Sequence, residues 1–200
     1  MIKLALIGAG AHARNGHAPA ISYYAEHHPD SIDRAAVCDI DLQKAEEFCN
    51  EFGFARPYTD IHNMLENEDL DACVCTVPVA IIADTVSLLF KKKICTLIEK
   101  PLGSSIEQSR ELLKIYEKEK IPNLVSANRR FLPLLNAGTE WFREQGNMRF
   151  IRGLFARPFR NEPDFFWSTA VHAIDSMRHI GGEIGKYDIS PKVDQSGENP

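Results

Sequence analysis

Apolar positions fall in short blocks along the first two-thirds of the chain, and the blocks have two different periods. Leu4-Ala5-Leu6-Ile7, Ala35-Ala36-Val37-Cys38, Asp71 to Val77 and Ile94 to Ile98 are near-continuous runs. Runs of that length without alternation predict parallel strands covered on both faces. Between them the spacing is helical: Leu42, Ala45, Phe48 and Cys49, then Ile61, Met64 and Leu65, then a stretch from about Ile81 to Lys92. Asp41 and Asp60 stand where caps belong, Gly53 where a helix stops, and Ser104 with Glu107 or Ser105 with Gln108 offers a capping box for a helix through Lys118. Tyr58-Thr59 predicts a short strand and Asn123 to Asn128 a sixth. Strands alternating with helices over residues 2–128 predict an α/β fold with a doubly wound parallel sheet.

The pattern changes after Phe131. A helix is expected over Leu134 to Gln145, a strand over Met148 to Ala156, and a helix carrying His172 and Asp175 that ends at Gly181-Gly182. One helix pair and one strand are too little for an independent core. The expected division is therefore a doubly wound parallel α/β domain over 1–128 and the start of an incomplete α+β domain over 129–200. An unpaired strand and uncovered apolar face in the second part predict a homo-oligomer.

Composition narrows the partners. Net charge is −5 with no basic cluster beyond Lys91-Lys92-Lys93, so nucleic acid is not expected as a ligand. Those lysines suit the negative end of a helix. No apolar run reaches membrane-spanning length, since Asp84 interrupts the longest, and Met1 leads straight into a strand without a signal-peptide pattern. The expected location is the cytoplasm. The five cysteines are expected to be buried reduced thiols, with Cys73 and Cys75 pointing apart and so forming neither a disulfide nor a metal pair. No metal site is expected.

The candidate chemistry lies at the strand ends. Gly8-Ala9-Gly10-Ala11-His12-Ala13 follows the first strand, and Asp39 ends the second, which is the layout of a dinucleotide site. Gly8 permits the turn, Gly10 leaves room for a pyrophosphate near backbone N–H groups, and Ala13 allows helix and strand to approach. Ala11 and His12 contribute backbone, and the His12 ring is expected to matter less. Asp39, with Ile40 beside it, can accept hydrogen bonds from a ribose diol and would repel a 2′-phosphate, favouring NAD over NADP. Asn15-Gly16 and Pro19 suggest an irregular lead-in before a main helix starting near Ala18. The strand-end rule adds Thr76, Val77 and Pro78, then Glu99 and Lys100, then Asn128 to Arg130, to the same rim. Lys100 can hydrogen-bond a substrate hydroxyl and share its proton, or simply be one half of a solvated Glu-Lys pair. His172 and Asp175 lie three apart on one helix face and suit proton relay, or a merely satisfied histidine. His17, His27, His28, His62 and His179 show no ligand spacing.

Taken together, these segments resemble the Gfo/Idh/MocA oxidoreductases. The resemblance runs from Met1 to about Gly182. It rests on the glycine turn with His17-Ala18-Pro19-Ala20, on Asp39 and Glu99-Lys100-Pro101-Leu102-Gly103, and on Asn128-Arg129-Arg130-Phe131 and His172-Ala173-Ile174-Asp175. It implies a bound NAD(H) or NADP(H), contacts to it from the glycine turn, Asp39, Ile40, Thr76, Val77, Pro78, Glu99, Lys100 and Arg129, and hydride exchange at a sugar, cyclitol or related polyol carbon. It also implies Lys100 beside nicotinamide and substrate, His172 as acid/base, and a Lys-Pro bond that is often cis. Three departures stand out. The family's Thr-Pro-Asn-x-x-His becomes Thr76-Val77-Pro78-Val79-Ala80-Ile81-Ile82; an aspartate four residues before the histidine is Ser168; and the chain stops where a large sheet should form. Asp175 is then expected to take over the carboxylate's role. A non-catalytic dinucleotide-binding regulator or partner protein is the alternative.

Overall fold

In the computed structural model, which describes residues 1–155 and 165–188, the chain divides into two units, 1–126 and 127–200. The first is built on a six-stranded parallel sheet in the order β3-β2-β1-β4-β5-β6. Its strands are β1 (Ile2–Ile7), β2 (Ile32–Cys38), β3 (Arg56–Tyr58), β4 (Ala72–Cys75), β5 (Cys95–Ile98) and β6 (Asn123–Val125). The chain winds outward from β1 to β3, then returns to the far side of β1 with β4. The strand order therefore reverses between β1 and β4, and a crevice opens there beyond their carboxyl ends.

The apolar runs are two-sided, as their lack of alternation predicts. Ala5, Ile7, Ala36, Cys38, Cys73 and Cys75 pack on one face with Ile82, Val86 and Leu89 of α4 (Val79–Lys91). Leu4, Leu6, Val37 and Val74 pack on the other, against Ala18 of α1 (Ala18–His27) and Ala45, Phe48 and Phe52 of α2 (Leu42–Phe52). Cys73 and Cys75 thus share a face, because residues two apart in a strand always do; the expectation that they point apart is corrected. Both thiols are free and buried.

Local signals decide the helix ends. Asp41 accepts from the Lys44 N–H, and Gly53 closes α2 at φ 70°. Asp60 accepts from the Asn63 N–H to start α3 (Ile61–Asn67). Of the two possible boxes, Ser105 caps α5 (Ile106–Glu119): its hydroxyl accepts from the Gln108 N–H, while Gln108 reaches back to the Ser104 N–H. The first long helix starts at Ala18 after an irregular lead-in, as expected. The backbone is already helical at Ala11, and Ala13–His17 forms a π-turn in which the Ala18 N–H reaches the Ala13 carbonyl. Pro19 explains the widening, since it donates no N–H and its ring crowds the carbonyl four residues back. The lead-in is therefore a bulged helix, with Asn15 and Gly16 inside it.

At the sheet edge beside β3, Glu68 is buried and receives the Arg56 guanidinium and, at 2.7 Å, the Tyr58 hydroxyl. The Arg56 hydrogen bonds hold its carboxyl below the usual range against the opposing pull of burial. A lowered folded-state pKa means stability that is present above the unfolded value of about 4.3 and lost as pH falls through the folded one. Glu68→Gln should accordingly cost about 1–2 kcal/mol at neutral pH, a figure kept small because Arg56 is half exposed, and should flatten the acid limb of the stability curve. Denaturant melts of both proteins from neutral pH downward check this; parallel acid limbs would refute it.

The second unit contains a single turn of 3₁₀-helix at Asn128–Phe131, then α6 (Pro133–Glu144), α7 (Phe165–Ser168) and α8 (Val171–Gly181). Residues 148–155 form no strand, and Ala156 lies outside the described residues. A strand needs a neighbour for its N–H and C=O groups, and among the described residues of this unit there is none. The expected strand over Met148 to Ala156 is corrected on that ground. Phe150, Leu154 and Leu134 are largely exposed, as the uncovered apolar face predicts.

Candidate functional site

A cavity of about 590 Å³ occupies the crevice at the β1/β4 reversal. Gly8, Gly10, Ala11, His12, Asp39, Ile40, Thr76, Val77 and Pro78, all expected on sequence grounds, line it. Gly8 lies at φ +95°, and a Cβ there would come within 2.9 Å of the Thr76 carbonyl oxygen. Thr76 locks that contact by donating its hydroxyl to the Gly8 carbonyl at 2.7 Å. Around Gly10 the space is different: a Cβ would meet nothing within 4 Å. The two glycines therefore serve separate purposes, one conformational and one keeping the backbone open to a ligand. Ala13 is fully buried at the helix–sheet contact.

Asp39 extends from the end of β2 and holds the turn. One carboxylate oxygen accepts from the Ala9 N–H at 2.8 Å and the other from the Asp41 N–H at 3.0 Å. A carboxylate has about four acceptor positions, so those bonds leave capacity for a ribose diol. Ile40, almost fully exposed, stands at the edge of the cavity. Thr59, Asp60, Ile61, Ile81, Thr85 and Lys44 also line it. The strand-end rule applied to β3 would have found Thr59 and Asp60. Lys44, whose ammonium lies 3.3 Å from Asp41, had no signal beyond its position on α2.

Glu99 follows β5 and is buried. Its Oε1 meets Nε2 of His17 at 2.8 Å and Nε2 of His12 at 3.1 Å, and its Oε2 accepts from the Lys100 N–H at 3.3 Å. Burial raises its pKa, but hydrogen bonds from His17 and Ser126 and the nearby His12 outweigh that and hold it at about 2. Two expectations change here. The His12 ring is engaged along with its backbone, and His17 is a partly buried partner of Glu99 although its spacing suggested nothing. Among the contacts described, Glu99 ties the end of β5 to the start of the first helix. Lys100 precedes a cis bond to Pro101.

In the second unit, His172 and Asp175 lie on α8 as expected. Asp175 receives the Arg130 guanidinium through both Nε and Nη2, which raises the arginine's pKa further. The Ser176 hydroxyl donates to the His172 carbonyl at 2.8 Å. Arg129 stacks its guanidinium over the Phe155 ring at 4.8 Å. Ser168 does not lie one helical turn before His172 on a shared helix. It ends α7, and a turn at Thr169-Ala170 separates it from α8, so the four-residue spacing of 168 and 172 does not amount to one turn of a single helix.

A parallel sheet in this order, with a glycine turn and an acid at its reversal point, defines a dinucleotide-binding α/β protein. Residues 2–126 match the GFO_IDH_MocA family, described as an oxidoreductase family with an NAD-binding Rossmann fold, and the chain belongs to it. It is 25% identical over 195 residues to the D-apiose dehydrogenase of Paraburkholderia graminis, covering 91% of this chain and 50% of that protein. A crystal structure of a putative myo-inositol dehydrogenase from Sinorhizobium meliloti superposes with a TM-score of 0.77 at 25% identity, over 92% of this chain and 56% of that one. The scyllo-inositol dehydrogenase of Lactobacillus casei with bound NAD(H) and scyllo-inositol gives 0.78 at 18% identity, over 91% and 56%. The chain spans about half the length of the curated relatives it matches. No described helix is long and apolar enough to cross a membrane.

Proposed function

We propose that this chain carries the cofactor-binding part of an NAD-dependent oxidoreductase acting on a CH–OH group of a sugar, cyclitol or related polyol. The observation that supports it best is the 590 Å³ cavity, which Gly8, Gly10 and Asp39 line together at the reversal of strand order. When bound, NAD accepts the hydride; the protein has to bind it, orient the substrate and remove a proton. The open space around Gly10 suits a pyrophosphate at the helix start, and the Asp39 carboxylate suits a ribose diol. Lys100 orients the substrate hydroxyl and draws off its proton, and His172 receives or relays it. Loss of hydride leaves positive character on the carbinol carbon, and proton loss relieves it. The roles of Lys100 and His172, and Arg129 at the cofactor, rest on the family's order of motifs. The sugar and cyclitol substrates named for the relatives supply the substrate class. Exposed Phe150 and Leu154 favour association through the second unit. A screen of NAD reduction across sugars and cyclitols tests the reaction.

Cofactor choice gives a sharper test. Asp39 opposes a 2′-phosphate, yet Lys44 lines the same cavity. The chain should bind NAD(H) more tightly than NADP(H), and Asp39→Ser should reverse or erase that preference, with Lys44→Ala restoring it in the double variant. Calorimetric titration of both dinucleotides measures this. Tighter NADP(H) binding by the unaltered chain would sink the NAD reading.

A further inference from the structure

The first unit gathers three metal-ligating side chains at the edge of the dinucleotide cavity, which His12 lines. His12 Nε2, His17 Nε2 and a Glu99 carboxylate oxygen all lie within 4.8 Å of one another. The two imidazole rings meet edge to face with centroids 5.5 Å apart. Both point their Nε2 atoms at the same oxygen, Glu99 Oε1.

The backbone explains how five-residue spacing achieves this. On a regular α-helix, at 3.6 residues per turn, positions five apart diverge to different faces. The π-turn over Ala13–His17 winds more residues into its turn, which swings His17 back beneath His12. Single π-turns inside helices are rare and concentrate at functional sites. Here the bulge does what a plain helix could not: it aligns two imidazoles over one carboxylate.

We propose that His12, His17 and Glu99 form a binding site for a divalent cation of the zinc class, with two imidazole Nε2 atoms and one carboxylate oxygen as ligands and the remaining positions open to water. The donor set selects the metal. Imidazole suits Zn²⁺, Co²⁺, Ni²⁺ and Cu²⁺, whereas Ca²⁺ and Mg²⁺ demand oxygen. Charge agrees, since the Glu99 carboxyl group shared by the two rings brings an anionic oxygen to the site. Without metal, each Nε2 must present a hydrogen to the shared oxygen. A cation replaces those hydrogens, and each ring then keeps its proton on Nδ1. His17 and Glu99 form a preset inner half, with side chains only 16% and 10% exposed, while His12 at 62% is the arm through which metal and water enter.

A purely structural role makes a different demand on these residues. Tying β5 to the helix needs His17 and Glu99, but gains little from an exposed His12 ring. The test is therefore Zn²⁺ calorimetry on the metal-free chain, with Co²⁺ substitution read by its visible ligand-field absorption. One equivalent of Zn²⁺ should bind, and Co²⁺ should develop the intense bands of a low-coordinate site. His12→Ala should weaken Zn²⁺ at least as much as the roughly 10–100-fold typical of losing a supporting partner, with its metal-free melting temperature unchanged. His17→Gln should abolish binding. His12→Ala keeps the test decisive if His17→Gln does not fold. His27→Ala and His28→Ala, at exposed rings on the end of α1, should change nothing. Zn²⁺ binding that survives His12→Ala, that disappears with His27 or His28, or that is no tighter than millimolar would overturn the proposal.

Discussion

Replacing Lys100 with methionine should lower turnover of the active polypeptide by about 10²–10⁴, the usual cost of losing general acid/base help, while NAD affinity changes little. The methionine keeps the length of the side chain and removes its charge and donors. His172→Asn should produce a loss of the same order. Paired measurements of kcat, KM and dinucleotide affinity separate these effects from misfolding. Turnover indifferent to both substitutions would refute the catalytic assignment and leave a dinucleotide-binding protein of the same fold.

The second unit alters what is expected of the neighbouring carboxylate. Asp175 is paired with Arg130, so Asp175→Asn would remove the arginine's partner as well as any help to His172. A loss of activity in that variant therefore counts for proton relay only if Arg130→Lys, which preserves a cation, leaves activity intact. Ser168→Asp is not expected to act on His172 through one continuous helix, since a turn at Thr169-Ala170 lies between them.

Gly8→Val is expected to have the largest effect on the first unit. A side chain at φ +95° costs about 1–3 kcal/mol in backbone strain, and its Cβ would also lie 2.9 Å from the Thr76 carbonyl oxygen. Neither the strand end nor the helix start can yield, because Thr76 and Asp39 bind both sides of the turn. Thermal melts should show a clear loss of stability, and calorimetry no measurable NAD binding. Gly10→Ala is the contrasting case. Its Cβ enters open space, so the melting temperature should hold while NAD binds more weakly. Equal destabilisation by both changes would show that the two glycines do not divide the work in this way.

Much of the first unit could be read directly from the residues, because the interactions that define it are local or periodic. Continuous apolar runs specified strands covered on both sides, Asp41, Asp60 and Gly53 marked helix ends, and the glycine turn with Asp39 announced the cavity. Periodicity and capping act over a few residues, so one stretch of sequence carries all the information they need. What required the tertiary structure was every contact made across sequence. Glu99 joins His12 and His17 from more than eighty residues away, Thr76 clamps Gly8, and Lys44 reaches the cavity from a helix whose pattern looked only amphipathic. The π-turn belongs to the same class in part: Pro19 supplies its cause locally, but its consequence, two imidazoles over one buried carboxylate, exists only once β5 lies beside the helix. In the second unit Met148 to Phe155 has the pattern of a strand and, among the described residues, no strand beside it. Periodicity expresses a preference for a covered face, and pairing needs a second chain segment at hydrogen-bonding distance, which no residue in the run can encode.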